Sequence, residues 1–146
     1  MTAPIGESLG TVVYVEDEPA MIDLITLILS RHGFEVAGAL SGAEGLQLIR
    51  ETKPDLILLD LMMPDMSGWD VYHALRADDE LSHIPVIVVT ARAATIDRTL
   101  GLRIAKVQDY ITKPFSPAEL VRRIGVVLGD SRLVTAADDE AEAGTG

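Results

Sequence analysis

Four short segments of the chain hold residue types able to do chemistry, and each sits at the end of an apolar run. Asp60 closes Asp55-Leu56-Ile57-Leu58-Leu59-Asp60, a stretch apolar enough to be a strand buried on both faces. An unpaired buried charge is expensive, so an acid there must lie at the strand tip, be paired, or bind a cation. The turn-rich Met63-Pro64-Asp65-Met66-Ser67-Gly68 that follows stops the strand and presents the acid at a loop. Glu16-Asp17-Glu18 follow the run Thr11–Val15, Thr90 ends the run from Pro85, and Lys113 ends the short run from Asp109. If these strands are parallel, all four groups share one edge of a sheet.

Three carboxylates held together repel one another unless a cation joins them. Ligands that are all oxygen favour Mg²⁺, which takes one or two carboxylates together with phosphate oxygens. A carboxylate can act as a nucleophile and become an acyl phosphate. Lys113 would supply a compact positive charge and Thr90 a hydroxyl donor, which suits phosphoryl transfer. No serine, cysteine or histidine is placed to compete as nucleophile, and His32, His73 and His83 have no metal-ligand spacing.

The elements between these segments follow a regular order. Pro19 opens an apolar helix from Ile22 to Leu29 that Gly33 stops, and Phe34–Ala39 reads as a second strand. Ser41-Gly42-Ala43-Glu44 is a capping box for a helix ended by Lys53-Pro54. The spacing predicts further helices over 68–77 and 94–104, and a second capping box, Ser116-Pro117-Ala118-Glu119, opens a last helix with Leu120, Ile124 and Leu128 on one side. Five βα units with near-continuous apolar strands imply an α/β fold, a parallel sheet covered on both faces.

With 146 residues, 48% of them apolar, the chain is sized for one domain with a core. It has no cysteine, no apolar run of membrane-spanning length and no signal-peptide layout, so a cytoplasmic location is expected. Net charge is −11, which speaks against binding nucleic acid through its phosphates. From Gly129 onward five acids face one base, Arg132. The expected division is a domain over 9–128 and an acidic, disordered tail over 129–146.

Val15-Glu16-Asp17-Glu18-Pro19, Asp60 with Met63-Pro64 and Gly68, Thr90-Ala91, and Tyr110-Ile111-Thr112-Lys113-Pro114-Phe115 together resemble the receiver domain of bacterial response regulators. The resemblance runs from about Leu9 to Leu128. It implies a (βα)5 doubly wound, flavodoxin-like sheet of five parallel strands in the order 2-1-3-4-5. It implies that Asp60 is the phosphoacceptor, taking phosphate from a sensor histidine kinase or histidine phosphotransfer protein of a two-component phosphorelay. Asp17 and Asp60 would bind Mg²⁺ directly, the Met62 backbone carbonyl would be a third protein ligand, and Glu16 would act through water. Lys113 would pair with the phosphate and precede a cis proline, and Thr90 would bond the phosphate. Tyr110 would move with Thr90 as a switch that signals through the surface of helix four, strand five and helix five, where a homodimer could also form.

The chain departs from the family pattern over Ile104-Ala105-Lys106-Val107-Gln108-Asp109-Tyr110, which lacks the usual glycine after helix four. That helix carries an apolar stripe, Ile96, Leu100 and Ile104. The expected function is a stand-alone receiver, not an enzyme beyond self-catalysed phosphorylation and dephosphorylation, with an unknown downstream protein partner and no direct contact with nucleic acid or membrane. The alternatives are a receiver fragment of a longer DNA-binding regulator, or an aspartate-nucleophile phosphatase. The phosphatase would want a second acid two residues after the nucleophile, where this chain has Met62.

Overall fold

The computed structural model of the protein describes residues 9–91, 107–130 and 132–134. Its elements are β1 (Gly10–Val15), α1 (Pro19–Ser30), β2 (Phe34–Ala39), α2 (Gly42–Thr52), β3 (Leu56–Leu59), α3 (Gly68–Arg76), β4 (Val86–Ala91), β5 (Asp109–Lys113) and α4 (Pro117–Leu128). The helix predicted over 94–104, with its apolar stripe, lies outside the described residues. The label α4 therefore belongs to the helix that the sequence places fifth.

All five strands are parallel, in the order β2-β1-β3-β4-β5. The fold is thus the flavodoxin-like, doubly wound arrangement that the motifs imply. Side chains alternate across each strand, so one apolar run feeds two cores. Val13, Val15, Ile57, Leu59, Val86 and Val88 pack with Ile49 of α2 and Val71, Tyr72 and Leu75 of α3. Val12, Tyr14, Leu56, Leu58, Ile87 and Val89 pack with Ile25 and Leu29 of α1 and Leu120 and Ile124 of α4. Neither face of the central strands meets water, which is why β3 has no polar residue between its ends.

Local sequence sets where these elements begin. Pro19 occupies the first turn of α1. The Ser41, Ser67 and Ser116 hydroxyls accept from the amides of Glu44, Trp69 and Glu119 at 3.2, 3.1 and 3.0 Å, each satisfying a donor that the helix itself cannot. α4 ends at Gly129, whose φ of 71° is cheap only without a side chain. β4 and β5 run one residue past the predicted ends because their pairing continues to Ala91 opposite Lys113.

The packed body extends beyond the expected boundary at 128. Leu133 is 3% exposed and joins the core between the sheet, α1 and α4. It approaches Gly125 so closely that a Cβ there would lie 2.8 Å from the Leu133 Cβ. A burial contact, not composition, decides this stretch; of the five acids only Asp130 is described, and Asp138, Asp139, Glu140 and Glu142 lie outside the described residues. Among the described residues no helix is long and apolar enough to cross a membrane.

Leu133→Ala should lower stability by about 2–3 kcal/mol, the usual cost of a truncated buried leucine. Urea unfolding followed by circular dichroism measures it, and an unchanged midpoint would place Leu133 outside the core.

Candidate functional site

Strand order brings the acids together. β1 and β3 are neighbours with Val15 opposite Leu59, so Glu16 and Asp60 leave the sheet side by side. The Asp60 amide donates to Val15 O at 3.0 Å and the Glu16 amide to Ala39 O at 2.9 Å, which carries the strand ladders up to the acids themselves. Glu16, Asp17 and Asp60 each place one carboxylate oxygen within 4.8 Å of the others. Glu16 and Asp60 are 1% and 3% exposed, whereas Asp17 faces solvent.

Like charges at this separation need compensation, and one ammonium provides it. Lys113, at the end of β5, donates from Nζ to Glu16 Oε1 at 2.6 Å and lies 3.5 Å from Asp60 Oδ2. Burial alone would lower the pKa of Lys113. The hydrogen bond to Glu16 and the fields of Asp60 and Glu16 outweigh it, holding the ammonium above the ordinary lysine range. The Lys113–Pro114 peptide bond is cis.

Two further donors hold the carboxylates. The Tyr14 hydroxyl donates to the same Glu16 Oε1 at 2.7 Å. Burial, and then the hydrogen bond to Glu16, push the Tyr14 phenol far above its usual range, so it stays a neutral donor. The Met62 amide donates to Asp60 Oδ1 at 3.1 Å, leaving Oδ2 facing Lys113. Thr90 is fully buried, and its Oγ1 has no hydrogen-bond partner among the described residues. The register Leu59–Val88 places it one step past the level of Asp60. A buried hydroxyl without a partner is rare and marks a place where an acceptor oxygen would fit.

The loop after Asp60 is tied down at both ends. The Gly68 amide donates to Leu61 O at 3.1 Å, and a Cβ at Gly68 would collide with Asp60 O and Leu61 Cα. Asp65 accepts from the Gly42 and Ala43 amides at 3.1 and 3.4 Å, capping α2 from across the site. Those backbone hydrogen bonds, led by Gly42, hold the Asp65 carboxyl below its usual 3.8. Tyr110, the expected switch, is 1% exposed and lies opposite Val88 in the core beneath α3.

The structure thus gathers Glu16, Asp17, Asp60, Thr90 and Lys113 at one edge of the sheet, as their strand-end positions imply. Sequence reasoning missed Tyr14 and Asp65. Tyr14 lies two residues before Glu16, hence on the same strand face, and that spacing was the available signal. Asp65 looked like an ordinary turn residue.

The family model of the response regulator receiver domain matches residues 12–125. The chain is 42% identical over 113 residues to the DNA-binding response regulator MtrA of Mycolicibacterium smegmatis, covering 77% of this chain and 48% of that protein. It is 43% identical over 118 residues to the sensory transduction protein RegX3 of the same species, covering 81% and 50%. Its backbone matches the receiver domain of the Francisella response regulator 1452 with a TM-score of 0.74 and 30% identity, covering 84% and 98%. The chain belongs to the response regulator receiver family. It spans about half the length of the curated relatives it matches, and these relatives lend no support to the expectation of a stand-alone protein without nucleic-acid contact.

Two outcomes follow from the loop. Gly68→Ala should cost about 1–3 kcal/mol, because the backbone atoms it meets cannot swing aside; chemical denaturation measures the loss. Asp65→Ala should lower the melting temperature at pH 7. A folded-state pKa below the unfolded one stabilises above the unfolded value and loses that contribution as pH falls through the folded value. The gap between the two proteins should therefore close below about pH 3.8. A gap constant from pH 7 to pH 2 would assign the effect to something other than the carboxylate.

Proposed function

We propose that the protein is a Mg²⁺-dependent aspartyl phosphoacceptor of a two-component phosphorelay, with Asp60 as the acceptor. A carboxylate oxygen of Asp60 attacks the phosphorus of a phosphohistidine on a histidine kinase or phosphotransfer protein. The P–N bond breaks and its electron pair returns to the imidazole. The observation that carries this reading is the meeting, at a single sheet edge, of three carboxylates, one ammonium and one buried hydroxyl without a partner among the described residues. Positioning and charge neutralisation are what phosphoryl transfer requires.

The donor set suits Mg²⁺, being all oxygen and anionic. Asp17 and Asp60 would hold the ion, with the Met62 carbonyl as the third protein ligand. Glu16 already accepts from Tyr14 and Lys113 on one oxygen and from the Glu18 amide at 3.3 Å on the other, which favours contact through water. The bound ion would neutralise charge on the carboxylates and on the phosphoryl oxygens. Lys113 would take one phosphoryl oxygen as an ion pair and Thr90 would donate to another. Movement of Thr90 would then reach Tyr110 and the surface of β5 and α4, where a protein partner or a second copy would dock.

The names and lengths of the relatives favour a second reading of context. MtrA is a DNA-binding response regulator about twice as long as the matched segment. In that reading this receiver is one part of a longer regulator, and contact with DNA belongs to residues outside the match. Phosphatase turnover is less well supported, because Met62 is 57% exposed beside the acid where that chemistry wants a carboxylate.

Incubation with acetyl phosphate and Mg²⁺, followed by intact mass, should show one phosphate on the wild type. Asp60→Asn, or the wild type in excess chelator, should show none. Sustained release of phosphate from small phosphomonoesters, without a stable adduct, would favour the phosphatase.

A further inference from the structure

Tyr14 has a hydroxyl where its strand neighbours are apolar, and that hydroxyl is spent on a charged partner. It is fully buried in β1 between the sheet, α1 and α4, and it donates to Glu16 Oε1 at 2.7 Å. The same oxygen accepts from Lys113 Nζ at 2.6 Å. Glu16 is 1% exposed, so bulk solvent does not replace a donor lost from that shared oxygen. A buried carboxylate left without donors is strongly disfavoured.

This arrangement creates a competition for the lysine. Lys113 lies closer to Glu16, at 2.6 Å, than to Asp60, at 3.5 Å. A phosphoryl group on Asp60 must draw the ammonium toward its own oxygens, and therefore away from Glu16. If Lys113 were the only side-chain donor to Glu16, that movement would strand a buried charge. The Tyr14 hydroxyl remains in place when the lysine leaves.

We infer that Tyr14 is a positioning residue for phosphoryl transfer: its hydroxyl satisfies Glu16 so that Lys113 is free to move from Glu16 to the phosphoryl group on Asp60. The inference rests on the phosphoacceptor reading above. Tyr14 touches neither phosphate nor metal and acts only through Glu16 and Lys113.

The test is a double-mutant cycle on the full chain, with Mg²⁺ and acetyl phosphate, reading the rate of phosphate gain by intact mass. Tyr14→Phe removes only the hydroxyl and should slow phosphorylation about tenfold, the scale of one hydrogen bond to a charged group. In a Glu16→Gln background the lysine is no longer held by a carboxylate, so Tyr14→Phe should cause no further change. Thermal melts establish that each protein is folded at the assay temperature, and Tyr14→Leu repeats the comparison if the phenylalanine ring packs badly.

Equal rates for wild type and Tyr14→Phe would overturn the inference. So would an equal loss in both backgrounds, which would mean that Tyr14 only supports the fold. Failure of the wild type itself to gain phosphate would sink the phosphoacceptor reading and this inference together, whereas the first two results leave that reading standing.

Discussion

Everything at this edge depends on two negative charges forced together by the sheet. β1 and β3 are adjacent and in register, so their terminal acids cannot avoid each other. Both are buried, where repulsion is weakly screened. Lys113 offsets them, and it comes from β5, with β4 and β3 lying between it and β1. The site is therefore complete only when the whole sheet is assembled, since no single βα unit contains both the acids and their counter-ion.

The sheet can hold this charge at its rim because its interior is uniformly apolar. Strands covered on both faces leave polar residues only at their ends. Glu16 and Asp60 accept donors from backbone, tyrosine and lysine together, while the Thr90 hydroxyl has no partner among the described residues. Fully satisfied groups would resist rearrangement, whereas a hydroxyl donor near a shared lysine leaves capacity for further acceptor oxygens.

The sequence made the site legible where position along a strand was enough. Asp60, Glu16, Asp17, Thr90 and Lys113 each end an apolar run, and parallel strands place such ends on one rim. Strand order was not legible from apolar patterning, because consecutive βα units read the same in any arrangement; the motif resemblance supplied it. Tyr14 was opaque for a different reason. In a strand of valines it reads as core, and its chemistry depends on a carboxylate two residues on. Asp65 caps amides 22 and 23 residues away, a contact that no local pattern encodes. Leu133 was hidden by the acidic composition that follows it, although one buried side chain outweighs such a bias.

The segment from Leu61 to Gly68 is fastened at one end by Gly68 against the Asp60 backbone and toward the other by Asp65 on the first amides of α2. A free loop of this length would have to surrender its conformational entropy each time it closed around a phosphoryl group. Here that ordering is completed once, during folding. In the proposed phosphoacceptor, adding and removing the group would then not require the wall of its own pocket to be rebuilt in each cycle.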